Sequence, residues 1–361
     1  MCLRLCLRLV PALCFALIPT SGWSQHRPAP IEVVLGERSL SGSPLAQNDK
    51  SLWLLRPDGR LTQIDRSRIT ATNQKRGHLV PISFSDLHRQ LGEEFGSAYQ
   101  VSITTHFVVV HPPGDHQYWA EPFERLYHQF RAYFERRGTE LPRCEFPLVA
   151  VVLNTRGEFD RFLARYGAAN GQVVGYYSPT SNRVITYREA GEPAGRGGGF
   201  LPSTTVIHEV AHQAAFNTGI HSRFAATPRW MSEGLAVLFE ARGVHNSLQF
   251  GRLADRKHEK HAQYLRKAHS AGETTGLLPQ IVQDDRLFET NPEMAYALAW
   301  GLTFYVTETG HADYIRLLRL AASKRDFQAY SSAERLRDFQ SVFGTTPQEL
   351  EPRLWHYLLS H

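Results

Sequence analysis

From Ser203 to the C-terminus every periodic segment of this 361-residue chain has helical spacing, whereas strands and helices alternate between residues 98 and 187. That switch constrains the fold more than any other feature. In the alternating part, "YQVSITTHFVVVHPP" predicts a strand or hairpin rich in β-branched residues. "YWAEPFERLYHQFRAYFERRG" carries Phe123, Leu126, Tyr127, Phe130, Tyr133 and Phe134 at helical spacing and stops at Gly138. "FPLVAVVLN" is a continuous apolar strand, "RGEFDRFLARYG" a short helix ending at Gly167, and "GQVVGYYSPTSNRVITY" a hairpin around Pro179–Asn182. The later helices include "MAYALAWGLTFYVTETG", "ADYIRLLRLAAS" and "PQELEPRLWHYLLSH". A mixed half followed by an all-helical half is an α+β arrangement.

Upstream, "SLWLLRPDGRLTQID" reads as two strands about the turn Pro57-Asp58-Gly59, within a β-rich module over roughly 31–90. Residues 25–50 are rich in Pro, Ser and Gly and suggest a loose lead-in. The start, "MCLRLCLRLVPALCFALIPTSGWSQ", has the charged, apolar and small-residue order of a secretory signal peptide, with cleavage expected after Ser24. Its apolar run is shorter than the ~20 residues a spanning helix needs. The expected division is therefore a signal peptide at 1–24, a lead-in and β module at 25–90, and a larger domain at 98–361. Localisation would be secreted or periplasmic, without stable membrane insertion once the signal is removed. Three of the four cysteines fall in that signal, leaving Cys144 without an intramolecular partner. The net charge of +5 drops by two with Arg4 and Arg8, and no basic stripe interleaved with aromatics argues for nucleic acid.

The chemistry gathers where the two halves meet. "TTVIHEVAHQAAFNTG", residues 204–219, carries His208 and His212 one helical turn apart, so both rings can aim at one point. Glu209 stands about 100° around the helix, within reach of a metal-bound water without ligating the metal. Zinc takes imidazole nitrogen at about 2.0–2.1 Å, and a catalytic site keeps three protein ligands plus water. The ion lowers the pKa of that water towards 7 while a carboxylate removes the proton. Ser203 or Thr204 can cap this helix, and Gly219 follows its end.

A second helix, "TPRWMSEGLAVLFEARG", offers Thr227 as cap, Pro228 in the first turn and Gly243 at the end. Glu233 lies among Trp230, Met231, Leu235, Ala236 and Leu238, and a carboxylate in such surroundings needs a partner. A metal is one partner; an arginine such as Arg229 is the other. Gly234 makes sense if another backbone packs closely at that turn. His221 and Glu240 compete with Glu233 as third ligand. His221 falls beyond the expected helix end, and Glu240 lies two turns, about 10 Å, along the helix from Glu233. The expectation is Glu233.

"HEVAH" followed by "PRWMSEGLA" resembles the gluzincin metallopeptidases, in which a second helix of the type W-x-x-E-G-x-A supplies a glutamate ligand. Within that clan it is most similar to the peptidase-MA-like secreted bacterial proteins, over roughly residues 100–357. The resemblance implies a zincin-like domain: a small mixed sheet with the active-site helix, then an all-helical half. It implies one Zn2+ held by His208, His212 and Glu233, with Glu209 as catalytic acid/base. The metzincin pattern is absent, since Ala215 and Thr218 stand where its glycine and third histidine would be. Val237 occupies the place where some gluzincins carry an aspartate that orients the first histidine. Tyr296 is a candidate oxyanion donor, against the alternative of a packed core tyrosine.

The function expected is hydrolysis of a peptide or protein substrate. The alternative from another class is a non-catalytic zincin-like module that binds protein or cell-wall polymer. A binding module needs no base, and Glu209 is present.

Overall fold

The computed structural model describes residues 28–114, 116–165, 174–188 and 203–361. The expected signal peptide, Gly167 and the glycine-rich segment 189–200 lie outside these residues. The chain folds as α+β, in the order expected. Five strands come first: β1 (Ile31–Leu35), β2 (Arg38–Gln47), β3 (Ser51–Leu55), β4 (Leu61–Asp65) and β5 (Ala71–Gln74). They form one antiparallel sheet in the order β4-β3-β2-β1-β5. Two of these strands occupy the stretch whose composition suggested a loose lead-in. Pairing of β1 with β2 and β5, with Val33 buried beside Leu52, Leu54 and Ile64 of the neighbouring strands, outweighs the Pro, Ser and Gly content there.

Helix α1 (Phe84–Phe95) follows, capped by Ser83 accepting from Asp86 N–H. Then come β6 (Gln100–Ile103), β7 (Phe107–His111), α2 (His116–Trp119), α3 (Glu121–Glu135), β8 (Leu148–Leu153), α4 (Arg156–Ala164), β9 (Gly175–Ser178) and β10 (Arg183–Tyr187). The second sheet runs β6-β7-β8-β10-β9, with β7, β8 and β10 parallel and an antiparallel strand on either edge. The continuous apolar run of β8 is explained by cover on both faces. Leu148, Ala150 and Val152 join the core with Phe123, Tyr127 and Val210, while Val149, Val151 and Leu153 join Phe159, Phe162, Leu87 and Leu91. Leu87 and Leu91 of α1 pack on this second sheet.

The remainder is helical: α5 (Thr204–Asn217), α6 (Arg229–Glu240), α7 (Arg242–His245), α8 (Leu253–Arg256), α9 (Glu259–Ser270), α10 (Leu277–Gln283), α11 (Leu287–Thr290), α12 (Pro292–Thr309), α13 (His311–Ala322), α14 (Ser332–Phe343) and α15 (Pro347–Ser360). Among the described residues no helix is long and apolar enough to cross a membrane. The β module is fastened to the larger domain rather than tethered. Leu61 N–H donates to Thr180 O at 2.8 Å, Arg223 donates to Gly59 O at 2.7 Å, and Trp53 stacks on Phe327 at 5.2 Å.

Gly234 shows how closely α6 meets α12. A Cβ there would stand 2.3 Å from Thr303 Oγ1 and 2.5 Å from the Ala299 carbonyl oxygen. Alanine would gain about 1 kcal/mol of helix propensity, but overpacking costs about 1–3 kcal/mol or more. A backbone oxygen cannot swing aside, so the clash wins. With a contact this short the upper end of that cost applies, so Gly234→Ala is expected to destabilise by roughly 2 kcal/mol or more net, read as a lowered melting temperature; an unchanged or raised one would contradict the close approach.

Candidate metal centre

Helix α5 begins where the sequence suggests, with Ser203 Oγ accepting from Val206 N–H at 3.4 Å, and Gly219 leaves it in the left-handed region at φ 76°. Its inner face of Val206, Val210, Ala211 and Ala214 is buried in the core. Gln213 fixes the helix to the sheet by donating to the carbonyls of Val149 (3.0 Å) and Asn182 (2.9 Å). Helix α6 starts differently from expectation. Pro228 is its N-cap residue, Thr227 Oγ1 has no hydrogen-bond partner, and Arg229 N–H donates instead to Asp285 Oδ1 at 3.0 Å. A carboxylate 56 residues away thus does the work of a local cap, and Arg335 holds that carboxylate in place.

Packing α5 against α6 brings His208, His212 and Glu233 together. The two Nε2 atoms are 3.1 Å apart, and Glu233 Oε2 lies 3.4 Å from that of His208 and 3.5 Å from that of His212. Donors of a tetrahedral ion at about 2.0–2.1 Å stand roughly 3.3 Å from one another. The triangle fits a zinc-sized ion, and its donor set of two imidazoles and a carboxylate suits one. Glu233 is 8% exposed and its ion-pair partners among the described residues are the two histidines, not Arg229. Arg229 lies over the Phe288 ring.

Charge at this centre is strongly redistributed. Burial opposes protonation of His208, but the hydrogen bonds to Glu233 and Glu240 outweigh it and raise its pKa well above the ordinary value. Burial likewise pushes the Glu233 carboxyl up, yet His212 and His208 hold it well below the usual range. A cation in the triangle would take over the role of that proton, so its binding releases one. Burial raises the pKa of Glu209, opposed by His208 and His212. Its Oε2 accepts from Tyr177 N–H at 2.7 Å, on strand β9. Gly175 permits that approach, since a Cβ there would stand 3.2 Å from Glu209 Cγ.

Neither competitor for the third ligand joins the triangle. His221 is buried against Phe216, with its Nε2 unpartnered and burial pushing its pKa down to about 3. Glu240 does reach the site, from behind: His208 Nδ1 donates to its Oε1 at 2.8 Å. Its Oε2 accepts from His258 Nε2 at 3.0 Å, at the start of α9. The orienting carboxylate that Val237 cannot provide is thus supplied one turn later. Its position two turns along the Glu233 face of α6 is the sequence signal for this role. Tyr296, on α12, is buried with its ring edge-on to Phe288 at 5.4 Å. Cys144 is a half-buried thiol that donates to Tyr127 Oη at 3.1 Å, and burial pushes its pKa up to about 11.

Glu240 gives a testable pH dependence. Burial raises its carboxyl, but His208 and His258 pull it down to about 2 from an ordinary 4.5. A depressed carboxylate contributes stability above its unfolded value and loses it as pH falls through the folded one. Glu240→Gln is expected to flatten the loss of stability of the metal-free protein between pH 4.5 and about 2. Losing such an orienting partner typically costs 10–100-fold in metal affinity; equilibrium dialysis that found unchanged affinity would remove Glu240 from the centre.

A family model described as a protein of unknown function (DUF1570) matches residues 203–328. That span starts at the cap of α5 and contains His208, Glu209, His212, Glu233, Glu240, His258 and Tyr296. No curated protein matches the chain.

Proposed function

We propose that the chain is an exported zinc-dependent peptidase of gluzincin type, acting on peptide or protein substrates. The observation that carries this reading is the donor triangle of 3.1–3.5 Å with a buried carboxylate beside it. A bound ion supplies Lewis acidity, lowering the pKa of water towards 7 and polarising the carbonyl under attack. Glu209 takes the proton from the attacking water and delivers it to the leaving nitrogen. The Tyr177 amide holds one of its oxygens, so the other would be the one to take the proton. Glu240 keeps the His208 ring turned so that Nε2 faces the triangle.

Strand β9 supplies the substrate platform. It is the last strand of its sheet among the described residues, and its Tyr177 N–H points to Glu209, off the sheet. An extended peptide adds there by strand pairing. Each main-chain hydrogen bond so formed contributes about 0.5–1.5 kcal/mol, so N-methylating one pairing amide of a substrate should lower kcat/KM roughly two- to twelvefold. A series of N-methylated peptides with no position-dependent loss would dismiss the platform. For the activity itself, metal analysis is combined with digestion of a broad peptide library, using Glu209→Gln as control. Stoichiometric zinc with cleavage abolished in the control supports a peptidase. Bound zinc without cleavage in the wild type would favour the binding-module reading.

A further inference from the structure

The first turns of α3 carry a second group of metal-type donors that the peptidase reading does not use. His106 stands between β6 and β7, and Glu124 and His128 lie four residues apart on α3. Each offers one donor atom within 4.8 Å of the other two. Glu124 Oε1 lies 2.6 Å from His106 Nδ1 and 3.0 Å from His128 Nε2. Its other oxygen is already engaged, accepting from Thr104 Oγ1 at 2.6 Å and from His106 N–H at 2.9 Å. The carboxylate is therefore anchored by one oxygen and presents the other to two imidazoles.

Glu124 is 6% exposed, and among the described residues its ion-pair partners are these two histidines. A buried carboxylate needs partners, and two of those that face this one are imidazoles, which are also metal-type donors. The rings of His106 and His128 meet nearly edge to face, 5.4 Å apart at 83°, so their donor atoms converge from different directions. His106 also rests on the Tyr127 ring at 4.6 Å, which limits its rotation. The His128 side chain is 57% exposed, leaving one side of the cluster open to water.

We propose that His106, Glu124 and His128 form an accessory transition-metal site that takes Zn2+, with solvent completing its coordination. Two imidazoles and a carboxylate suit zinc better than calcium or magnesium, which prefer all-oxygen sets. The anchoring by Thr104 and the His106 amide is the kind of outer support that orients a ligating carboxylate. The 2.6 Å and 3.0 Å separations are those of shared protons. On binding, the ion replaces those protons and the donors spread to roughly 3.3 Å, a movement that the exposed His128 side chain absorbs. The ion would tie the β6–β7 connection to α3.

The test is independent of catalysis. Chelator-stripped full-length protein is titrated with zinc chloride by calorimetry, and bound metal is counted after gel filtration. His128→Gln is the main variant, because an exposed side chain can be changed without disturbing the core; Glu124→Gln is the second. The wild type should bind one zinc ion more than either variant, and the same one-ion difference should persist in a Glu233→Ala background. With Co2+ in place of zinc, the visible absorption assignable to this site should vanish in His128→Gln. Equal stoichiometry in wild type and His128→Gln would overturn the proposal. So would an equal loss in His116→Gln, an exposed histidine outside the cluster, since that would mark indiscriminate binding to surface imidazoles.

Discussion

Glu209→Gln is expected to leave zinc bound at full occupancy and to lower peptide hydrolysis by about 10²–10⁴-fold. The amide keeps the shape of the side chain but cannot accept the proton of the attacking water. Zinc should stay because Glu209 is not one of the three donors, whose ring nitrogens and carboxylate face each other across 3.1–3.5 Å. The fold should also survive, since the Tyr177 N–H can still donate to the amide oxygen. Burial raises the Glu209 pKa, so the neutral amide does not remove a charge that its surroundings favour. The measurement is kcat on a cleaved library peptide beside zinc content on the same sample. Wild-type turnover with full zinc would deny Glu209 its role, whatever the metal does elsewhere.

Glu233→Ala should lose zinc and activity together. It removes one of three donors and leaves two imidazoles that ordinary chelators outcompete. The loss also changes the apo centre, because His208 and His212 each face Glu233 Oε2. Without that carboxylate, Glu240 and Glu209 remain to favour the charge on His208. Three variants therefore form a ranked series for metal analysis. Glu233→Ala should retain essentially no zinc at this centre, Glu240→Gln should bind 10–100-fold more weakly, and His221→Ala should bind as the wild type does. A Glu233→Ala protein holding zinc at this centre would make the triangle a coincidence of packing. Loss of zinc in His221→Ala with the fold intact would move the third ligand to the other candidate.

Sequence and structure divide the account along a physical line. What lies within one helix or one hairpin was legible, because 3.6-residue and two-residue periods project residues to known faces. The helices carrying HExxH and Glu233, the Ser203 cap, the Gly219 exit and the Pro179–Asn182 turn all follow from spacing and turn chemistry within a few residues. The close approach at Gly234 was legible for a similar reason, since a glycine inside a helix needs a cause. Contacts between segments distant in the chain were not. Glu240 reaches His208 across 32 residues, and no local pattern distinguishes a carboxylate that ligates from one that braces a ligand. Asp285 caps α6 from 56 residues away, leaving Thr227, the better local candidate, without a bond. The β9 amide finds Glu209 only because the strand order puts that hairpin at the edge beside α5. Composition alone suggests a loose lead-in over 25–50, whereas residues 31–47 form β1 and β2, which pair with each other and then with β5 and β3, strands that the stretch does not contain. Local dihedral preferences and periodicity are written residue by residue, whereas which surfaces meet is decided by the packing of the whole chain.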